Sequence, residues 1–188
     1  DVSEALYLRD PEGNGVELYR DRPREEWPHT ESGEIDIDTL PLDLDDLASA
    51  DEDGGAERGT DAGDDDETGA PAGTTVGHVH LEATDLGAME EFYAEGLGLD
   101  VKARYGESVA FLAAGGYHHH LGINTWNGRT DSTSASRGLA WFEFVLPDAT
   151  TLDGVTDRLE ERGHAIDRGG ERAFVIDPDG ISLRLSTA

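Results

Sequence analysis

The sequence predicts an α+β fold: paired βαβββ modules forming a curved sheet around a cavity, with the helices outside. Three observations carry this expectation. The order strand-helix-strand-strand-strand occurs twice, over about 76–127 and again over about 138–188. The segments that open the two passes alternate apolar and polar residues, as half-buried strands do. The connections between later strands are too short for the crossovers of a doubly wound parallel sheet.

Each element follows from local chemistry. In the first pass, GHVHLEATD alternates as a strand. Asp85 stands where it can cap a helix, and Leu86, Met89, Phe92 and Tyr93 recur at helical spacing. GLGL ends that helix, and DVKARYG, ESVAFLAAGG and YHHHLGINTW read as three strands. In the second pass GLAWFEFVLP is a strand, and Asp148 or Thr150 caps a helix carrying Leu152, Val155 and Leu159. Gly163 stops it, and HAID, ERAFVID and ISLRLS complete the module.

Residues 1–20 read as a β-hairpin with PEGNG as its turn. EALYLRDPEG lies over ERAFVIDPDG without a gap, and NGVEL over ISLRL. The hairpin therefore reads as the last two strands of another module, the tail of a truncated first domain. Residues 21–75 read as an acidic linker, mobile and salt-sensitive over about 50–72, where apolar anchors are nearly absent. Leu40, Leu42, Leu44 and Leu47 suffice there for one short docked strand or helical turn. Residues 76–188 read as one complete domain.

Composition narrows the classes of function. Asp and Glu number 42 against 14 Lys plus Arg, a net charge of −28. That field repels nucleic acid and anionic lipid, so neither is expected as a primary partner. There is no Cys, which excludes disulfides, thiolate metal sites and cysteine nucleophiles. No stretch of the sequence has the length and apolarity of a membrane span, and a cytoplasmic location is the expectation. Lys102 is the single lysine. An acid-rich, Lys-poor chain suits a halophile's cytoplasm, where salt screens self-repulsion.

The residues with chemical potential lie on strand faces. His78, His80 and Glu82 share one face of their strand and Val79, Leu81 and Ala83 the other. In the hairpin, Glu17 and Tyr19 share a face. Imidazole and carboxylate on neighbouring strands are what a divalent metal needs to accept substrate oxygens. The strings HVHLEATDL, EFYAEGLGL and DPEGNGVELY resemble the opening and close of a vicinal oxygen chelate module, of the glyoxalase/bleomycin resistance/extradiol dioxygenase superfamily. RDRPREEW and YHHHLGINTW resemble its catechol 2,3-dioxygenase-like branch.

This resemblance implies extradiol ring cleavage in aromatic catabolism: a catechol-like substrate and O₂ meet at Fe(II) or Mn(II) held by two His and one Glu. By position, Glu17 matches the Glu, with its His partners outside this sequence, and His78 matches a ligand His. The corresponding positions of the last module hold Trp141 and Arg184. The second domain is therefore expected to be degenerate or structural, and this chain alone weakly active or inactive. His118, as a substitute ligand, and His119 and His120, as acid/base groups, are further candidates. The family match places the acid/base His on His119. The internal repeat places His120 over Glu17, with His118 facing the cavity beside it, and strand alternation favours that second placement. His80 is expected to line the cavity. Asp10-Pro11 and Asp177-Pro178 are read as turns. Other readings are a metal-free small-molecule cup of the bleomycin-resistance type and a glyoxalase-like isomerase. A second copy of the chain is a candidate partner through the hairpin's open edge.

The charge generates a first test. The thermal midpoint is expected to rise between dilute buffer and molar KCl, because salt screens the repulsion of 28 net negative charges. An unchanged midpoint would remove the halophile reading.

Overall fold

The structure is a computed structural model describing residues 2–31, 33, 35–38, 40–42, 70, 73–131 and 138–188. Most of the acidic linker, including the expected mobile run and Leu44 and Leu47, lies outside the described residues. The chain divides into two compact units, one of residues 1–27 and 38–77 and the other of residues 28–37 and 78–188.

The first unit carries the hairpin. Strands β1 (Ser3–Arg9) and β2 (Gly15–Asp21) pair antiparallel. Asp10 builds the turn: its Oδ1 accepts hydrogen bonds from the backbone N–H groups of Glu12 (2.9 Å) and Asn14 (2.8 Å). Leu6, Tyr7, Leu8, Val16 and Leu18 are all exposed.

The second unit holds two βαβββ modules, as the α+β expectation requires. In module A, β3 (Val79–Glu82) leads into α1 (Leu86–Glu90), which continues as a π-helical turn over Glu91–Gly96. Strands β4 (Asp100–Tyr105), β5 (Val109–Ala113) and β6 (Leu121–Asn124) follow, and the sheet order is β3-β6-β5-β4. In module B, β7 (Trp141–Leu146), α2 (Ala149–Glu161), β8 (Asp167–Arg168), β9 (Arg172–Ile176) and β10 (Ser182–Thr187) form the order β7-β10-β9-β8. The first and last strands of each module lie parallel and the other pairs antiparallel. Both helices start on the same device. Asp85 Oδ1 accepts from Ala88 N–H at 3.1 Å, and Asp148 Oδ1 from Thr151 N–H at 2.7 Å. Among the described residues no helix is long and apolar enough to cross a membrane.

The modules share one core. Leu81, Met89, Phe92 and Tyr93 from module A are buried in the same cluster as Leu152, Val155, Leu159, Leu183 and Leu185 from module B. Gly96 lets the helices approach, since a Cβ there would lie 2.6 Å from Leu159 Cδ2. Arg158 of α2 donates to the carbonyls of Gly96 (3.2 Å) and Leu97 (3.0 Å), filling carbonyls left open where α1 ends.

The Asp177–Gly180 turn binds the modules more tightly than the turn reading anticipates. Asp177 is buried, and its Oδ1 accepts from Asp179 N–H (3.0 Å) and Ile181 N–H (2.8 Å). Its Oδ2 accepts from Tyr93 O–H of module A at 2.9 Å. Asp179, also buried, accepts from Thr84 Oγ1 (2.7 Å) and Arg129 Nη2 (3.1 Å) of module A.

Asp177→Ala is expected to cost about 3 kcal/mol, because two buried N–H groups and one phenol lose their acceptor. Asp177→Asn keeps an oxygen for the backbone pair and should cost about 1 kcal/mol. Burial pushes the Asp177 carboxyl above its usual range, against the hydrogen bonds that favour its ionised form. A raised carboxyl stabilises the fold in its protonated form. That contribution is complete below the unfolded pKa, about 3.8, and is lost as pH rises through the folded pKa. Wild type should therefore gain stability relative to Asp177→Asn as pH falls, in urea titrations of both at matched pH.

Candidate functional site

The sheet faces turned away from the shared core carry the polar residues, and their content follows from register. In the hairpin Tyr7 pairs with Glu17, in module A Phe111 pairs with Gly122, and in module B Phe174 pairs with Arg184. These are one position in three copies of a strand pair. Glu17 thus corresponds to Gly122 in module A, and not to His120 as alternation and the sequence repeat suggested. The slip is two residues, which preserves the face but changes the place.

The glycine reshapes module A. A Cβ on Gly122 would lie 2.7 Å from His80 Nδ1 and 3.3 Å from Phe111 Cε1, so those rings use the space a side chain would fill. His78, His80 and His119 converge beside it, with donor nitrogens all within 4.8 Å of one another. The ring centres of His78 lie 4.4 Å from His119 and 4.9 Å from His80. Phe111 backs His119 at 4.8 Å.

His118 and His120 are not members of this donor group. His118 is fully buried, and its Nδ1 lies 2.7 Å from His119 Nδ1. His120 Nδ1 accepts from Ala114 N–H at 3.1 Å, and its ring lies 5.0 Å from Tyr117. Burial, then the positive neighbours His118, His78 and Lys102, hold the His120 imidazole below its usual range. Strand β6 begins only at Leu121, so alternation does not govern residues 118 and 119. That is why His119, rather than His118, joins His78. Glu82 turns to the following loop, accepting from Asn127 Nδ2 at 2.7 Å and lying 3.9 Å from Arg129 Nε.

Module B holds a different set. Arg184 lies 4.4 Å over the Trp141 ring and 5.5 Å from that of Phe174, and 3.6 Å from the Glu143 carboxylate. In the first unit, Glu17 is half-buried beside Tyr7. The Tyr7 hydroxyl is pushed up to about 12 by desolvation and by the Glu17 carboxylate it bonds.

This double βαβββ architecture has known counterparts. A family model described as the Glyoxalase/Bleomycin resistance protein/Dioxygenase superfamily matches residues 75–185. The chain belongs to this superfamily. It is 40% identical over 181 residues to catechol-2,3-dioxygenase of Bacillus subtilis (strain 168), covering 94% of this chain and 59% of that protein. It thus spans about three-fifths of the length of that curated relative. A glyoxylase/bleomycin resistance protein/dioxygenase domain from Frankia sp. EAN1pec is similar at 26% identity and a TM-score of 0.50, over 61% of this chain and 98% of that one. A glyoxalase/dioxygenase from Nostoc punctiforme shares the fold at 18% identity and a TM-score of 0.52, over 63% and 94%.

The two-His, one-Glu ligand set that the resemblance implies does not fit the second unit. His78 is present, but the positions that would complete the set hold Trp141 and Arg184. An indole offers no lone pair to a metal, and a guanidinium repels one. Two contributors escaped the sequence reading of the site. The two-residue spacing of His80 to His78 puts both on one strand face, but spacing alone does not show that His80 reaches His119. Gly122 required the strand register.

Arg184→Glu should lower unfolding stability by about 1–2 kcal/mol, because it removes the stacked cation and sets a second carboxylate beside Glu143. Arg184→Lys should fall between, keeping charge but losing the flat stacking surface. Urea denaturation of the three proteins checks the order.

Proposed function

We propose that this protein acts as a catechol 2,3-dioxygenase-like enzyme, cleaving the ring of a catechol-like aromatic with O₂ in an Fe(II)- or Mn(II)-dependent reaction. In this reading Glu17 belongs to the chemical centre, and residues 76–188 form a partner domain that no longer carries it. The 40% identity to the Bacillus catechol-2,3-dioxygenase, over nearly the whole chain, carries the proposal. The hairpin supports it by keeping a carboxylate at the place where module B has a guanidinium.

When bound, the metal would supply the site at which the two vicinal oxygens of the substrate and O₂ meet. The protein's own contribution is electrostatic. Glu17 would offer its carboxylate to the metal, beside the Tyr7 hydroxyl that pairs with it across the strands. Arg184 offers the opposite charge, so module B suits an anionic or aromatic group better than a cation. That observation favours a second reading, in which the second unit is a metal-free cup of the bleomycin-resistance type.

The test is to load the protein anaerobically with Fe(II), add catechol and oxygen, and follow the yellow ring-opened product. Product formation reduced at least about 100-fold by Glu17→Ala and retained in His78→Ala is expected, with a low yield from this chain alone. Turnover abolished by His78→Ala would instead place the chemistry in the second unit. Saturable catechol binding with no product under either metal would favour the binding cup.

A further inference from the structure

We propose that His78, His80 and His119 form a binding site for one borderline divalent cation of the Zn(II) class, built wholly within module A. The site uses neither Glu17 nor the positions of Trp141 and Arg184, so it is independent of the ring-cleavage reading.

Convergence is the first argument. Three rings from two segments bring their donor nitrogens within 4.8 Å of one another. A tetrahedral Zn(II) with Zn–N bonds of about 2.0–2.1 Å needs donors about 3.3 Å apart. Small side-chain rotations close that difference, and His80 is exposed enough to make them.

Ligand chemistry selects the cation. Three imidazoles suit Zn(II), and also Co(II), Ni(II) and Cu(II), over Mg(II) or Ca(II), which take oxygen donors. The nearest strand carboxylate, Glu82, is engaged by Asn127 and lies near Arg129, so it does not convert the set into an oxygen-rich one. Neutral imidazoles leave the cation's charge intact, and a chain of net charge −28 offsets it at long range.

Orientation supplies the third argument. The 2.7 Å Nδ1···Nδ1 contact between His118 and His119 needs a proton on one nitrogen. When His119 donates it, His119 Nε2 carries the lone pair a metal requires. His118 then acts as a positioning residue, as the outer partners of metal-bound histidines do. Its complete burial prevents it from turning away. Gly122 contributes space, since a side chain there would displace His80 and Phe111. With three protein donors and His80 exposed to solvent, the fourth position is left to water or a small anion.

The experiment uses the full chain, stripped with chelator and held in molar KCl to suppress diffuse cation binding. Zn(II) is titrated against a chromogenic chelator, and Co(II) is followed by its visible absorption. One equivalent of each is expected, with the intense Co(II) bands of a four-coordinate site. His80→Gln and His119→Gln should each weaken binding at least about 100-fold, and His118→Phe about 10- to 100-fold. Gly122→Ala should weaken it as well, while His29→Gln should leave it unchanged. Near-ultraviolet circular dichroism reports whether each variant folds, and exposed His80 gives the variant least prone to unfold. The inference is overturned by absence of stoichiometric binding, by the faint spectrum of a six-coordinate oxygen site, or by binding that survives both His80→Gln and His119→Gln. Binding lost only in Glu17→Gln would overturn it and leave the ring-cleavage reading standing. Absence of ring cleavage with the three-histidine site intact would do the reverse.

Discussion

The second unit depends on a pair of carboxylates buried in one turn. Asp177 and Asp179 come from module B, but their side chains take hydrogen bonds from Tyr93, Thr84 and Arg129 of module A. Burying two like charges so close together is costly unless donors surround them. Here the donors include two backbone N–H groups, a phenol, a hydroxyl and a guanidinium. Removing one donor leaves a buried acceptor unmet, so the two modules resist separation more than their shared apolar core alone would require. The same Asp-Pro turn in the hairpin, at Asp10, makes the same backbone bonds in an exposed setting. The turn is thus a local device of the chain that module B has placed under a tertiary load.

Holding the helices and turn together leaves the opposite sheet faces free to differ. At a single position of the strand pair the chain has Glu17, Gly122 and Arg184: an anion, no side chain and a cation. The backbone pairing is identical in kind, so the scaffold imposes no charge there. Each choice reorganises its neighbours. Beside Glu17, the Tyr7 hydroxyl is pushed up to about 12. Beside Gly122, the His80 imidazole and the Phe111 ring occupy the open space. Beside Arg184, Trp141 and Phe174 supply ring faces and Glu143 a counter-charge.

Much of the fold is legible because local rules and tertiary packing agree. Asp85 and Asp148 cap the helices that their spacing announces, and the alternation around Leu81 and Leu183 puts those residues in the core. The site is less legible, for a physical reason. Alternation orients side chains only while the backbone is extended, and the run His118–His120 precedes β6. Its rings are placed by the approach to the strand, which no period describes. Register is likewise invisible to a gapless repeat, because a slip of two residues keeps every side chain on its face. The load on Asp177 could not be read either, since an exposed Asp-Pro-Glu-Gly and a buried Asp-Pro-Asp-Gly turn look alike in one dimension.

The polar sheet faces of the two modules carry opposite chemistry. A guanidinium at the Arg184 position disfavours any cation bound close by, so a histidine in place of Trp141 would gain little as a metal ligand there. An aromatic ring, by contrast, covers the flat cation and gains from its charge. Trp141 and Arg184 therefore form a self-consistent pair: each makes the other favourable, and neither can serve beside His78 in the two-His, one-Glu arrangement that the resemblance implies. A cation in this unit is then best held on module A's own residues, with donors that need no carboxylate. Gly122 is what makes room for such a set, because a larger side chain at that position would occupy the space into which His80 now reaches.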